Sequence, residues 1–268
     1  MPLEQEMVEF LEKRAASGLP EVWEASLFTI RKNLENRPAL GGELEKIYEV
    51  EHKYIAGPTA ELPIRIYRPH WHKPLPCLVY FGGGGWVLNS LDVIEEPMRS
   101  LANKGQFIVI SVNYQKAPEH PFPIPFDDCY ETLLWVQSHA EKLGIDPTQI
   151  GVGGDSAGAN LASAVAIKAR DTGDINLAFQ ALIYPCNDPA MNYESAKTNG
   201  VGYNLSTKAM KWFWEQYLQK KSDFKNPYAA PIAAKDLTGV APAIVVTAEF
   251  DPLLDDGYNY ADRKSTRL

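Results

Sequence analysis

The sequence predicts an α/β fold in which a mostly parallel sheet carries helices on both faces. Short apolar runs recur along the chain, and segments with helical spacing of apolar residues separate them. Strands of a parallel sheet have continuous apolar runs because both faces of the sheet are covered. We expect strands at residues 77–81, 107–112, 150–152, 177–184 and 243–248, and helices near 90–104, 127–142 and 157–170.

The composition is that of a soluble globular protein, with 45% apolar and 22% charged residues among 268. A net charge of -8 disfavours nucleic acid or an anionic membrane as a partner, because both attract basic surfaces. Cys77, Cys129 and Cys186 are widely spaced, which is typical neither of a disulfide framework nor of a metal site. We therefore expect no metal site built from these cysteines and a cytoplasmic location, and the acidic N-terminus is not that of a signal peptide.

Two N-terminal segments, 3–16 and 21–35, have apolar residues at helical spacing. They form either a lid or an extra layer of the core. An aromatic-rich segment at 205–220 likewise either packs on the core or lines an acyl-binding pocket. We predict a helical cap segment at residues 1–40 and a single core domain at 41–268. A helical insertion around 187–222 is expected to contribute to the cap.

Residues 154–158 read Gly-Asp-Ser-Ala-Gly, between a predicted strand and a predicted helix. In this context the pattern is typical of a nucleophile elbow, a sharp turn that exposes a reactive serine. Gly154 and Gly158 suit a turn where a Cβ atom would collide with neighbouring backbone. The pattern predicts Ser156 as a nucleophile, with the Ala157 amide directed at a developing oxyanion. A phosphate-binding loop is excluded, because the glycines lack the required spacing and the following lysine.

Four successive glycines, residues 82–85, follow the predicted strand at 77–81. Such a run loses much conformational entropy on folding, so it needs a structural reason. The functional interpretation is that its N–H groups complete an oxyanion hole with Ala157. The alternative is a flexible turn with no catalytic role.

An acidic segment at residues 249–257 follows the last predicted strand. The acid of a catalytic triad is expected just beyond such a strand, and Asp251 occupies that place. Asp255 and Asp256 are assigned to the next helix instead.

Taken together, these motifs resemble the bacterial hormone-sensitive-lipase-like carboxylesterases of the α/β-hydrolase fold. Residues 80–86 are similar to the His-Gly-Gly-Gly-Trp oxyanion motif of that family, and 154–158 match its Gly-Asp-Ser-Ala-Gly. Residues 113–123 are similar to its Tyr-Arg-Leu-Ala-Pro-Glu-His-Pro-Phe-Pro segment, and 251–253 to its acid motif. The resemblance extends from about residue 40 to 260.

The resemblance implies that Ser156 is the nucleophile and Asp251 the triad acid. It assigns the oxyanion amides to three residues: Gly83, Gly84 and Ala157. The implied reaction is hydrolysis of a small-molecule ester with a short to medium acyl chain, through an acyl-enzyme and without a cofactor. One departure is Gly82, which stands where the family has the loop histidine.

A second departure is the absence of any histidine after Ser156, where the family order of Ser, acid and His requires one. We therefore expect the final strand and helix to be missing and the activity to be impaired. A non-catalytic ligand-binding protein on a hydrolase scaffold is the alternative. An uncovered strand at 244–246 would also favour a homodimer or a larger assembly. The histidines present are interpreted as structural or solvated: His52, His70, His72, His120 and His139.

Overall fold

A seven-stranded sheet forms the centre of the computed structural model, which describes residues 2–35, 43–72 and 74–265. Its strands are β1 (Glu49–Ala56), β2 (Glu61–Arg68), β3 (Leu75–Phe81), β4 (Ile108–Val112), β5 (Ile145–Asp155), β6 (Gln180–Ile183) and β7 (Ala243–Val246). They lie side by side in the order β1-β2-β4-β3-β5-β6-β7. The five strands from β4 to β7 are parallel, whereas β1 and β2 are each antiparallel to their neighbours. The predicted mostly parallel sheet is confirmed.

Helices cover both faces of the sheet, as predicted. They are α1 (Gln5–Ala16), α2 (Leu27–Glu35), α3 (Glu95–Gly105), α4 (Ile124–Ser138), α5 (Ala140–Leu143), α6 (Ala157–Thr172), α7 (Glu194–Thr198), α8 (Thr207–Tyr217) and α9 (Leu254–Ser265). Side chains of β3 alternate between two apolar clusters: Val79 and Phe81 belong to the larger one, and Leu78 and Tyr80 to the one that includes α3. The central strand is thus buried on both sides.

The chain order reverses beside the central strand β3. From β3 the chain crosses to β4 on one side and later returns to β5 on the other. In open parallel sheets such a reversal leaves a crevice outside the carboxyl ends of the two strands, and ligands bind there. The glycine run follows the carboxyl end of β3, and Ser156 follows that of β5. The topology therefore brings the two principal predicted motifs to one crevice.

The N-terminal helices are less buried than the core helices. Helix α1 has no fully buried residue, and α2 buries only Ile30 among its described residues. The part of the chain predicted as a helical insertion contains α7 and α8, and α8 buries Phe213 and Trp214. Residues 36–42, which include the predicted cap boundary, lie outside the described residues. The division into cap and core stays a prediction.

Helix α9 follows β7 and carries Asp255 and Asp256 in its first turn, as the sequence indicated. It packs with a buried Tyr260. The expectation that a further strand and helix are missing is untested and stays a prediction. Within the described ranges, no helix has both the length and the hydropathy needed to cross a membrane.

Strand β7 lies at one edge of the sheet, with apolar side chains exposed. Ile244 is 69% and Val246 50% exposed. Exposed edge strands present unpaired N–H and C=O groups that pair readily with another chain. We propose that two copies of this chain associate through β7.

Ile244→Lys should shift the protein toward the monomer, because a lysine on an edge strand opposes pairing. Sedimentation velocity across a concentration series measures the dimer fraction. Tyr54→Lys on β1, the opposite edge, is the matched control and should leave the dimer intact, since Tyr54 is also 70% exposed. A parent protein that stays monomeric at high concentration contradicts the proposal.

Candidate active site

Ser156 occupies a strained turn between β5 and α6. Its backbone has φ 53° and ψ -119°, a conformation that a residue with a Cβ rarely adopts. Such strain costs about 1–3 kcal/mol and persists only where surrounding structure fixes it. Here Ser156 N–H donates to Ile183 O at 2.9 Å, and its carbonyl accepts from Asn160 N–H at 3.0 Å. Ser156 therefore stands at the carboxyl edge of the sheet, as a nucleophile elbow requires.

The glycines on either side of Ser156 are needed because the elbow touches the end of β3. A Cβ atom on Gly158 would lie 1.8 Å from the Phe81 carbonyl oxygen, which is far inside van der Waals contact. A Cβ atom on Gly154 would lie 2.5 Å from the same oxygen and 2.4 Å from the Gly158 carbonyl carbon. The Gly-x-Ser-x-Gly spacing thus follows from direct backbone contact between the two strand ends.

Asp155 connects the elbow to the glycine loop. Its Oδ1 accepts hydrogen bonds from Tyr80 OH and from Gly83 N–H, both at 2.9 Å. Burial raises the pKa of Asp155, and the bonds from Gly83 and Tyr80 act in the opposite direction. Sequence reasoning overlooked Asp155, which fills the variable position of the motif and has partners more than 70 residues away. Its only sequence signal is the Gly-Asp-Ser-Ala-Gly resemblance.

The glycine loop adopts a conformation that requires glycine, with φ of +111° at Gly84 and +62° at Gly85. The Gly83 amide already donates to Asp155, so it is not free to bind an oxyanion. This contact corrects the prediction that Gly83 supplies one of the oxyanion amides. Among the described residues, Gly84 N–H has no acceptor. Ala157 is the first residue of α6, where N–H groups have no partner within the helix.

A buried tyrosine, Tyr114, and a half-buried lysine, Lys116, support the loop. Tyr114 OH donates to the Gly82 carbonyl at 2.7 Å. Lys116 Nζ lies 3.8 Å from the centre of the Tyr114 ring and donates to the Tyr114 carbonyl at 2.5 Å. Burial lowers the pKa of Lys116 to about 7. The sequence indicated neither contact.

Asp251 follows β7, two strands away from Ser156. Its Oδ1 accepts from Leu253 N–H at 2.8 Å. Burial raises the pKa of Asp251, and this one bond opposes the shift. Ser156 and Asp251 both come after the carboxyl ends of parallel strands, Ser156 after β5 and Asp251 after β7, with β6 between them. Both residues therefore lie toward the same edge of the sheet.

The histidines have other partners, and the structure records none bonded to Ser156 or Asp251. His70, His72 and His139 lie at the opposite edge of the sheet, because they follow β2 or precede β5. His52 accepts from Arg65 Nε at 3.3 Å on the outer strand β1. His120 lies in the loop after β4, where its N–H donates to the Lys116 carbonyl.

A cavity of about 750 Å³ opens beside the loop and the elbow. Gly83, Gly84 and Asp155 form its floor. Its walls come from the N-terminal segment and from the region around α8, and they include Trp23, Leu34, Leu88, Val93, Leu205 and Phe213. The cavity is large enough for a small organic molecule and is mostly apolar in its lining. The aromatic-rich helix α8 thus lines the cavity with Phe213, while its Trp214 is buried in the core.

A family model described as alpha/beta hydrolase fold matches residues 78–266. The chain belongs to this family. It lies in the hormone-sensitive-lipase-like branch that the motifs indicated. The arylesterase of Saccharolobus solfataricus is 33% identical over 98% of this chain and 86% of its own length. The carboxylic ester hydrolase LipN of Mycobacterium tuberculosis is 38% identical over 77% of this chain, a match that spans 57% of LipN.

Solved structures of esterases are also similar to this chain, in agreement with its family. The esterase of Pyrobaculum calidifontis is 37% identical, with a TM-score of 0.91 over all of this chain and 86% of that one. An ester-hydrolase from the Lake Arreo metagenome is 36% identical, with a TM-score of 0.94 over 99% of this chain and 86% of that one. The predicted enzyme class, a carboxylesterase by family resemblance, is confirmed.

Gly158→Ala should severely destabilise the protein, because its Cβ would collide with the Phe81 backbone, which cannot move aside without breaking β3. We expect a loss of more than about 3 kcal/mol in the free energy of unfolding, or no soluble protein. Gly153→Ala is the matched control: its Cβ would approach the Ala181 carbonyl to 2.9 Å, so a smaller loss is expected. Urea denaturation measures both. Equal stability of the two variants would contradict the backbone-contact explanation.

Lys116→Met should stabilise the protein at pH 7 by more than about 1 kcal/mol. Because the pKa of Lys116 is about 7 in the folded state and near ~10.4 when unfolded, folding releases a proton between these values. The parent therefore gains stability as pH rises from 7 to 10, and the advantage of Lys116→Met shrinks over that range. Denaturation midpoints at pH 7, 8.5 and 10 measure this. Lys104→Met, at a 78% exposed side chain, should give no pH-dependent gain.

Proposed function

We propose that this chain binds small carboxylic esters and transfers their acyl group to Ser156, slowly, because no histidine reaches that serine. The observation that carries the proposal is the strained Ser156 turn, which contacts the end of β3 directly before the glycine loop with its free Gly84 amide. Asp251 follows β7 toward the same edge of the sheet. Ester hydrolysis is the activity named for its relatives. The serine mechanism and the slow rate are our inferences for this chain.

The proposed reaction starts with attack of Ser156 Oγ on the ester carbonyl carbon. The carbonyl oxygen becomes negatively charged and accepts hydrogen bonds from Gly84 N–H and Ala157 N–H. Gly83 is left out of this oxyanion hole, because its N–H is bonded to Asp155. Solvent takes up the proton that Ser156 Oγ loses in this attack. The tetrahedral intermediate then breaks its bond to the alkoxy oxygen, which receives a proton from solvent and leaves as the alcohol, and the acyl group stays on Ser156. Water attacks that acyl-enzyme in a second step, which releases the acid and restores Ser156.

The slow step in this proposal is the removal of the serine proton. A serine hydroxyl needs a base within hydrogen-bond reach, and each of the five histidines is placed elsewhere. Asp251 could orient an imidazole, but in this chain its carboxylate accepts only from Leu253 N–H among the described residues. Removing the triad histidine from related mechanisms lowers turnover by about 10⁶, and binding with the oxyanion hole retains about 10³–10⁴ over water.

The cavity supports small, apolar ester substrates. Trp23, Leu88 and Phe213 offer apolar surface next to the oxyanion loop. A volume of about 750 Å³ suits an ester with a short to medium acyl chain. We propose that α1, α2 and the segment with α7 and α8 form the cap over this cavity.

A second candidate is a ligand-binding protein that performs no catalysis. The intact cavity beside a nucleophile without a base favours it. The two functions differ in one measurable respect: only the esterase forms a covalent acyl-enzyme at Ser156.

Added imidazole should restore part of the general-base catalysis that the proposed reaction lacks. With p-nitrophenyl acetate, we expect a slow basal rate that rises at least about 10-fold in tens of millimolar imidazole, after subtraction of the rate without protein. Imidazole supplies the general base, which contributes about 10²–10⁴ when it is held in place. Intact-mass spectrometry should detect the acetyl group, and peptide mapping should place it on Ser156.

Ser156→Ala should abolish both the rescued rate and the acetyl adduct. Ser138→Ala, at an exposed serine near the opposite edge of the sheet, is the matched control and should behave like the parent. An acetyl group that maps elsewhere, or a basal rate that equals a complete esterase, would overturn the proposal. Ligand binding in the cavity without any Ser156 adduct would support the second candidate.

A further inference from the structure

We propose that Asn89 is a positioning residue of the oxyanion loop, and that it replaces the histidine which the family has at the position of Gly82. This inference rests on the proposed function, since it concerns the same oxyanion hole. It assigns a role to a residue that no motif includes.

The first observation is the hydrogen bond that Asn89 makes with the loop. Asn89 Nδ2 donates to the Gly83 carbonyl at 3.0 Å. In a planar trans peptide the carbonyl and the following N–H point in opposite directions. A fixed Gly83 carbonyl therefore fixes the direction of Gly84 N–H, the amide assigned to the oxyanion. Neither Gly83 nor Gly84 has a side chain that could hold this peptide, and glycine is conformationally free at the φ of +111° that Gly84 adopts.

The peptide before it is fixed by other groups. Its carbonyl, on Gly82, accepts from Tyr114 OH, and its N–H, on Gly83, donates to Asp155. The Gly83–Gly84 peptide depends on Asn89 alone for its carbonyl bond, within the residues described. Loss of the Asn89 amide would therefore free one peptide and leave its neighbour in place.

The second observation is the space that Asn89 fills. A Cβ atom built on Gly82 would lie 3.0 Å from Asn89 Nδ2 and 3.2 Å from Ile94 Cδ1. A histidine at this position would thus enter the volume that the Asn89 side chain occupies. The two arrangements are alternatives: a histidine at 82 with a small residue at 89, or glycine at 82 with asparagine at 89.

Asn89 is itself held in a defined orientation. Its backbone φ is +84°, in a region that asparagine tolerates better than most residues with a Cβ. Its Oδ1 accepts from Ser90 N–H at 2.8 Å, which leaves Nδ2 as the group that faces Gly83. Both ends of the side-chain amide are therefore satisfied, and its donor is directed at the loop.

The test compares acylation of Ser156 in the parent, Asn89→Ala and Asn89→Asp, all with imidazole and p-nitrophenyl acetate. The aspartate variant keeps the size and the acceptor but has no N–H to donate. We expect the acylation rate constant at saturation to fall about 10–100-fold in both variants, because the oxyanion loses an oriented donor. KM should change less than about 3-fold, because Asn89 is only one of the residues that line the cavity and the apolar walls formed by Trp23, Leu88 and Phe213 are untouched.

Asn103→Ala is the matched control, because Asn103 Nδ2 also donates to a carbonyl, that of Lys46, but far from the loop. It should acylate like the parent. The double variant Gly82→His with Asn89→Gly should recover the rate to within about 3-fold of the parent, whereas Gly82→His alone should not. Recovery by exchange of the two positions distinguishes positioning from a general loss of stability, which thermal unfolding monitors in every variant.

Crystal structures of the parent and Asn89→Ala provide a readout that does not depend on catalysis. The Gly83–Gly84 peptide should rotate or become disordered in Asn89→Ala, while Gly83 N–H stays bonded to Asp155. A parent that forms no Ser156 adduct refutes the proposed function, yet the peptide orientation still decides the role of Asn89. An unchanged peptide, or acylation of Asn89→Ala and Asn89→Asp within 3-fold of the parent, would overturn the inference.

Discussion

The structure depends on direct backbone contact between the end of β3 and the turn that carries Ser156. Gly154 and Gly158 have no side chains there, and the Phe81 carbonyl occupies the space that their Cβ atoms would need. This contact sets the distance between the oxyanion loop and the nucleophile before any side chain takes part. Asp155 then joins the same two segments through Tyr80 OH and Gly83 N–H. Because this carboxylate is buried, both bonds contribute to the stability of the fold: an unpaired buried acceptor costs about 1–3 kcal/mol.

Further contacts around this one fix the remaining groups of the site. The topology places the ends of β3 and β5 side by side, and the strained Ser156 is fixed there by bonds to β6 and α6. Tyr114, Asp155 and Asn89 hold successive peptide groups of the loop, so that the Gly84 amide has a fixed orientation and no acceptor among the described residues. Oriented amides of this kind stabilise an oxyanion without reorganising during the reaction.

In the proposed reaction, oriented amides stabilise the oxyanion, whereas removal of the serine proton is the slow step. Asp251 follows β7 toward the same edge of the sheet as Ser156, and its carboxylate accepts a hydrogen bond from Leu253 N–H. Gly82 stands where the resembled oxyanion motif has a histidine, and the Asn89 side chain fills the adjoining space. In our proposal Asn89 supports the loop in place of that histidine, whereas none of the five histidines replaces the proton acceptor.

The sequence by itself predicted the five parallel strands, the mostly parallel sheet and the positions of Ser156 and Asp251 beyond strand ends, but not the antiparallel strand β1. These features follow from local sequence patterns, namely apolar runs and the spacing of glycines, because residues close in sequence are enough to define them. Only the tertiary structure decided which amides of the loop are free: Gly83 is bonded to Asp155, which lies 72 positions away. It also showed that Asn89 and Tyr114 donate hydrogen bonds to carbonyls of the glycine loop, at sequence separations that follow no local pattern. Such contacts depend on how strands from distant parts of the chain come together, and no local pattern encodes that geometry.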